Sequence, residues 1–378
     1  MKFNELKCSL KEVLSTQATS YDYEDTVGYL IDKCYELGAS NVEIDAHDNL
    51  YVTKGIAKVY PCVVSHTDTV HDIYKGYKVY EVNGSFVAYD LESMQQVGTG
   101  GDDKVGIWVC LEMLRKFDNI KICFFAQEEI GCVGSSKADE EFFKDVGYVF
   151  ECDRKGSSDF VQTSSNVKMF GDAFKKLIAP TLKTYNYSIT DGGLTDVHEI
   201  SQIANICCAN MSCGYYKPHT KQEYVKIDEA INTMKLVGAL ITSLGEVKHT
   251  HEAVNEYQSW GYGTYNSYGA SGYGNVAQQN NWYSSKPKKA GLISTLISKV
   301  NDFKGCDLCG EISTQGCEFC EDVNTPTVDT LPEKVNYSGR ASVKCSCGQT
   351  LRVYGSGVDE YSHCYDCGYY EDATKLPF

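Results

Sequence analysis

The chain has 378 residues, 42% of them hydrophobic and 23% charged, a balance that can bury a sizeable core and excludes disorder throughout. No run of 18 apolar residues occurs and Glu5 precedes any apolar stretch, so neither a membrane span nor a signal peptide is expected and a cytoplasmic protein is. Lys and Arg number 35 against 51 Asp and Glu, a formal charge of -16, which disfavours a phosphate-neutralising surface and makes nucleic acid a poor candidate ligand.

In chain order, Pro61-Cys62-Val63-Val64-Ser65-His66 reads as a buried strand, and it runs into His66-Thr67-Asp68. Residues i and i+2 of a strand share a face, so Asp68 can reach the His66 imidazole, fix its tautomer and raise its basicity. Taken alone, the pair also fits a surface His beside an Asp. The segment Gly98-Thr99-Gly100-Gly101-Asp102-Asp103-Lys104-Val105-Gly106 then sets two carboxylates between a glycine-rich turn and a helix. That helix, Asp103 to Phe117, carries Val105, Val109, Leu111, Met113 and Leu114 on its period. Two acids at a helix start fit a site, and they equally fit cap and dipole charges.

The second strand, Ile120 to Ala126, runs into Gln127-Glu128-Glu129-Ile130-Gly131. Adjacent carboxylates at the end of a buried strand repel unless a cation or proton compensates them. A third strand, Tyr148 to Cys152, ends in Glu151-Cys152-Asp153-Arg154. After a helix at Asp172 to Tyr185, a fourth strand is expected at Ile203 to Ala209, and the loop beyond it presents His219. A last helix spans Ile227 to Leu244. Strands alternating with helices imply an α/β sheet covered on both faces, whose ligands sit beyond the carboxyl ends of the strands. The acids and histidines fall at those places.

The ordered set His66-x-Asp68, Gly-x-Asp102-Asp103-Lys104-x-Gly, Glu128-Glu129, Asp153 and His219 resembles the dinuclear zinc peptidases of the M20 family, in its tripeptidase-like branch, and their M28 and M42 relatives, over about residues 1 to 250. The resemblance implies a three-layer α/β/α core with a mixed, mostly parallel sheet. It implies two zinc ions, cobalt or manganese being alternatives, bridged by Asp102. His66 and Asp153 complete one site and Glu129 and His219 the other. Glu128 takes the part of the general base, Asp68 orients His66, and Asp103 is the acid that follows the bridge. Such ions need a bridging anion, mixed imidazole and carboxylate ligands and an open edge. Gly192-Gly193-Leu194-Thr195-Asp196 resembles a turn found near the active site in related families.

The chain departs from the family at one point. Only 65 residues separate Asp153 from His219, and core elements must occupy them, so the family's inserted lid and dimerisation domain is expected to be absent and a monomer is expected. Another group must then stabilise the oxyanion. Tyr215, Tyr216 and Arg154 are candidates, or they merely line the loop. His198 reads as a loop residue, and His47, His71, His249 and His251 lack partners at ligand spacing.

Ten of the 18 cysteines lie in apolar contexts before residue 250, and eight form close pairs near the end. Without a secretory signal they fit a reducing compartment. Between the two groups, Tyr257 to Ser285 is a run of 29 residues without a charge, which offers no periodic apolar face and reads as a linker or a docking segment. A short amphipathic stretch follows, from Leu292 to Val300. Cys306-x2-Cys309 with Cys317-x2-Cys320, and Cys345-x-Cys347 with Cys364-x2-Cys367, are spaced to hold one or two structural zinc ions in a small ribbon, with rubredoxin-like iron as the alternative. Residues 300–378 hold six Lys and Arg against thirteen Asp and Glu, a balance suited to a protein partner.

The expected organisation is a catalytic domain at 1–251, a linker at 252–291 and a Cys-rich zinc-ribbon-like domain at 292–378. The expected function is a zinc-dependent exopeptidase on short peptides. The alternatives are an amidohydrolase of N-acyl amino acids and a non-catalytic binding protein that retains the fold.

Overall fold

The computed structural model describes residues 2–255 and three short strands at 352–354, 361–364 and 369–372. Contacts divide the chain into two compact units, Val13–Ser294 and a second made of Met1–Glu12 with Thr295–Phe378.

The chain opens with α1 (Phe3–Leu14) and α2 (Glu24–Glu36), then forms β1 (Asn41–Ile44), β2 (Leu50–Lys54) and β3 (Tyr60–His66). A meander of β4 (Tyr77–Val82), β5 (Ser85–Asp90) and β6 (Gln95–Val97) precedes α3 (Gly101–Lys116) and β7 (Ile120–Phe125). Next come α4 (Glu140–Phe143), β8 (Val146–Arg154), β9 (Asp159–Ser164), β10 (Val167–Lys168) and α5 (Asp172–Thr184). They are followed by β11 (Ser188–Gly192), α6 (Asp196–Ala204), β12 (Cys207–Ser212), β13 (Tyr215–Tyr216), β14 (Tyr224–Lys226), α7 (Ile227–Leu244) and β15 (Val254–Asn255).

The main sheet runs β1-β2-β7-β3-β8-β12-β9-β10-β15, with β11 beside β9. Its centre, β7-β3-β8-β12, is parallel, and β11 is parallel to β9. The flanks are antiparallel, so the sheet is mixed and its parallel character belongs to the centre. Every residue of β3 and β7 is buried, because helices cover both faces, which is why these strands read as unbroken apolar runs and not as alternation. Cys62 and Val64 of β3 and Cys123 and Phe125 of β7 join Val197 and Ile200 of α6 and Phe143 of α4 in one core cluster. The other face packs on α3, which in turn meets α2 and α7. Each large apolar side chain withdrawn from water there contributes roughly 1.5–3 kcal/mol.

The fourth strand differs from its expected bounds. Ile203 and Ala204 close α6 and pack with Val197 and Ile200 on the helical period. Asn205 then takes a left-handed conformation and ends the helix, and the strand runs Cys207–Ser212. A short apolar run had been shared between a helix face and a strand, which periodicity alone cannot divide. The interval from Arg154 to Pro218 is spent on β9–β13, α5 and α6, and no separate domain is inserted there.

A second, antiparallel sheet, β13-β14-β5-β4 with β6 beside β5, was not among the expected elements. It packs the meander onto the loops that follow β12. Beyond residue 251, β15 still pairs with β10. The ten cysteines before residue 250 are free thiols, nine of them buried. Among the described residues no helix is long and apolar enough to cross a membrane.

In the C-terminal unit, β16 (Arg352–Tyr354), β17 (Tyr361–Cys364) and β18 (Tyr369–Asp372) form an antiparallel sheet, with Cys364 opposite Tyr369. Cys306, Cys309, Cys317, Cys320, Cys345, Cys347 and Cys367 lie outside the described residues, as do the charge-free run and the amphipathic stretch from Leu292.

Candidate metal centre

The parallel pairing of the central strands aligns their carboxyl ends on one rim. Val64 lies opposite Glu151 and His66 opposite Phe125, so two residues further along β8 Asp153 comes level with His66, and the turn after β7 delivers Glu128 and Glu129 to the same edge. Asp102 arrives from the start of α3. There Gly100 is left-handed, and Asp102 and Asp103 depart from helical φ/ψ across a cis peptide bond. Gly106 is dictated by packing, since a Cβ there would lie 2.2 Å from Asp103 Oδ2.

Two sets of donors converge. In one, His66, Asp102 and Asp153 place ligand atoms within 4.8 Å of one another, and in the other Asp102, Glu129 and His219 do the same. His66 Nε2 is 3.3 Å from Asp102 Oδ1 and 3.8 Å from Asp153 Oδ1. His219 Nε2 is 3.2 Å from Asp102 Oδ2 and 3.1 Å from Glu129 Oε2. The two oxygens of Asp102 thus face different histidines, as a bridging carboxylate requires. The five residues expected from sequence to hold metal are brought together.

The sets differ in exposure. The His66 side chain is fully buried, whereas that of His219 is 53% exposed, so one half of the centre is enclosed and the other opens to solvent.

His66 Nδ1 is 2.9 Å from the Asp68 carbonyl oxygen and 3.4 Å from its carboxylate. A carbonyl only accepts, so Nδ1 carries the proton and the lone pair of neutral His66 lies at Nε2. The shorter contact is through the backbone because the chain leaves the strand after His66, and the Asp68 side chain is free for more. Its carboxylate accepts from Ser20 Oγ at 2.6 Å and from the Glu128 N–H at 3.0 Å, and the Glu129 N–H lies 3.4 Å away. Asp68 therefore fixes both His66 and the Glu128-Glu129 turn. Burial opposes its charge, but His66, Ser20 and the Glu128 N–H outweigh burial and hold its pKa below the usual carboxylate range.

Two atoms report a missing partner. His66 Nε2 and Glu129 Oε1 are buried without a hydrogen bond, which is costly unless a cation takes the lone pairs. The same acids bind a proton in its place. Burial alone would lower the His66 pKa, yet Asp102, Asp153 and Asp68 raise it well above 6.5, and Asp102 and Glu129 push His219 up to about 10. Burial resists the charge of Asp102, but His219 and His66 more than offset it and depress its pKa. Burial and the charge of Asp102 raise Asp153. A mixed imidazole and carboxylate set with one shared anion and one open side suits a pair of zinc ions, so the residues fit such a centre.

Glu128 belongs to neither set. Its Oε2 is 3.9 Å from His66 Nε2, its Oε1 accepts a weak bond from Cys132 Sγ at 3.4 Å, and burial, with Glu129 and Asp102 adding to it against His66, raises its pKa. Asp103 turns inward, with one oxygen taking the Ser65 hydroxyl at 2.6 Å and the other the Gly106 N–H at 3.0 Å.

The expected oxyanion candidates separate. Arg154 is committed to Asp159, Nε to Oδ2 at 2.8 Å, and Tyr216 donates to Glu229. Only Tyr215 of the three reaches the donor sets, with its hydroxyl 3.2 Å from Asp153 Oδ1. The Gly-Gly-Leu-Thr-Asp turn is close by, since Thr195 Oγ1 bonds Glu151 and lies 3.4 Å from Asp153 Oδ2. His198 is not in a loop. It sits buried in α6 with Nδ1 3.0 Å from the Ser164 carbonyl.

Sequence reasoning missed three supports. Asn210 cradles Asp153, accepting from its N–H and donating to its carbonyl, both at 2.9 Å. Asn49 donates to the Gly134 carbonyl and accepts from the Ala126 N–H, shaping the turn that holds Glu128 and Glu129. Glu223 binds the turn before α3, and His71, given no chemistry from spacing, pairs with it at 2.6 Å. Glu223 and His71 lie within five residues of a ligand but read as ordinary loop residues, whereas an Asn inside the apolar run of β12 is a buried polar group that must find partners.

No family model and no curated protein matches the chain. Among solved structures it is similar to the aminopeptidase PepT from Bacillus cereus, at 17% identity, over 65% of this chain and 99% of that one, with a TM-score of 0.54. It is likewise similar to a tripeptidase from Staphylococcus aureus, at 15% identity, over 65% of this chain and 100% of that one, with a TM-score of 0.52. The chain thus has the α/β fold of these two peptidases.

Proposed function

We propose that the chain is a zinc-dependent exopeptidase, of the aminopeptidase or tripeptidase-like kind, acting on short peptides. One observation carries this reading: two donor triads share Asp102 at the carboxyl rim of the parallel strands, with the non-ligand carboxylate of Glu128 beside them. In it, His66, Asp102 and Asp153 hold one ion and Asp102, Glu129 and His219 the other. Ions so held would supply Lewis acidity, polarising a peptide carbonyl and lowering the pKa of water to about 7.

The chain's own residues do the rest. Glu128 takes the proton from the attacking water and returns it to the leaving amine, a task suited to a carboxylate whose affinity for a proton is raised by burial. Asp68 keeps Glu128 and His66 in register through the bonds to the Glu128 N–H and His66 Nδ1. Tyr215 keeps its proton, because burial and then the charges of Asp102 and Asp153 raise its pKa, and with it donates to Asp153 Oδ1, which steadies that carboxylate. The eight tail cysteines are read as a closed structural zinc site or pair of sites that serves a protein partner.

The test is a metal count on the purified protein together with a panel of short free and N-blocked peptides and N-acyl amino acids. Two chelator-labile ions and turnover that needs a free amine support the proposal. Turnover of N-acyl amino acids alone replaces it with the amidohydrolase, and bound metal without turnover of either class replaces it with a binding protein.

A further inference from the structure

We infer that Glu223 is a positioning residue that sets the bridging carboxylate of Asp102, a role that rests on the dinuclear reading above. Glu223 lies four residues beyond His219 and is fully buried. Its Oε2 accepts the Gly100 N–H at 2.8 Å and faces His71 Nε2 at 2.6 Å, and its Oε1 accepts the Asp102 N–H at 3.1 Å. One carboxylate therefore ties together three segments: the loop that leaves β3 after His66 and Asp68, the glycine turn that carries Asp102, and the loop that carries His219.

A carboxylate with no access to water is costly to bury unless charge-assisted hydrogen bonds satisfy it. Three such contacts converge here, and one ends on the amide of Asp102 itself. The turn has no slack. A Cβ on Gly101, between the two bound amides, would lie 2.7 Å from Val225 Cγ2 and 2.8 Å from Tyr215 Cβ, and one on Gly98 would lie 2.0 Å from the His71 ring. A shift of Glu223 would thus be passed to Asp102, and through it to the distances from Asp102 to both histidines. Glu223 is in neither donor set, so it acts through Asp102 and not on a reacting atom.

Glu223→Gln keeps the size of the side chain but leaves one acceptor oxygen for two amides. Full-length parent and variant are stripped with a chelator, then titrated with zinc against a chromophoric chelator and with cobalt followed by its visible absorption. The variant is expected to bind the labile ions about 10–100-fold more weakly, to show an altered cobalt spectrum, and to recover kcat in excess zinc with KM unchanged. A role in packing alone would lower the melting temperature of the metal-free protein and leave zinc affinity and cobalt spectrum at parental values, which would overturn the inference. Should Glu223→Gln not fold, His71→Asn decides, since it removes one of the three contacts: weakened zinc binding supports the role and parental binding overturns it. A parent that binds no labile pair of ions overturns the dinuclear reading and this inference with it, whereas a parent that binds two, beside a variant of equal affinity, overturns this inference alone.

Discussion

Glu128→Gln separates proton transfer from metal binding. Gln has the shape of Glu, and the backbone bond from the Glu128 N–H to Asp68 Oδ1 at 3.0 Å does not involve the side chain, so the neighbouring Glu129 stays in place. Glu128 lies in neither donor set, and metal content should equal that of the parent. What is lost is the base. Positioned proton transfer contributes about 10²–10⁴-fold, which at about 1.4 kcal/mol per tenfold corresponds to roughly 3–5 kcal/mol of barrier. The assay is kcat on a free tripeptide across pH, with metal content measured in the same samples. In the parent the basic form of Glu128 is lost as pH falls, and that acid limb should vanish in the variant. The sign for stability is opposite. A buried carboxylate with a raised pKa weakens the fold above its unfolded pKa, so the metal-free variant should melt higher than the metal-free parent at neutral pH. A variant with both ions bound and kcat within about threefold of the parent, a loss well short of what base catalysis supplies, would refute the assignment.

His219→Ala should release the outer ion and leave the ion held by His66, Asp102 and Asp153, because only the His219 side is open to solvent; a chelation time course should show one fast ion in the parent and none in the variant. In the metal-free parent, Asp102 and Glu129 raise His219 to about 10, so its contribution to stability is full below the unfolded value of about 6.5 and is lost as pH rises through about 10. Melting curves of metal-free parent and variant should converge over that interval, and a gap that widens would contradict the pairing. Gly106→Ala puts a methyl group 2.2 Å from Asp103 Oδ2, and overpacking of this kind costs about 1–3 kcal/mol, read as a melting temperature lower by about 2–4 °C per kcal/mol. Arg154→Ala should leave kcat nearly unchanged because the guanidinium is held by Asp159; a loss of a hundredfold or more would return Arg154 to the oxyanion role.

Most residues of the candidate site are legible in the sequence, and the reason is local. His66, Glu128, Glu129 and Asp153 each end an apolar run, and a charged group abutting a buried strand is an anomaly that hydrophobic patterning exposes. Asp102 stands out because glycines crowd it on the N-terminal side. The supports were hidden for the converse reason. Glu223 and His71 are 152 residues apart, and each resembles an ordinary loop residue until the fold places them in contact. In the second sheet β6, β13 and β14 have only two or three residues each, too short for an alternation to register, whereas β4 and β5 have six each around Asn83-Gly84, a hairpin signal that the sequence does carry. Ile203 and Ala204 read as part of the fourth strand because residues 203–209 are apolar but for Asn205, a run that carries no helical period. Asp68 was expected to hold His66 with its carboxylate, and it does so chiefly with its carbonyl, a choice set by where the backbone turns.

Anomalous diffraction at the zinc edge, on crystals of the full chain grown with zinc, addresses the dinuclear centre most directly. Two peaks about 3.5–4 Å apart are expected, one among His66, Asp102 and Asp153 and the other among Asp102, Glu129 and His219. No peak within coordination distance of Asp102, with zinc present in the crystal, would contradict the assignment.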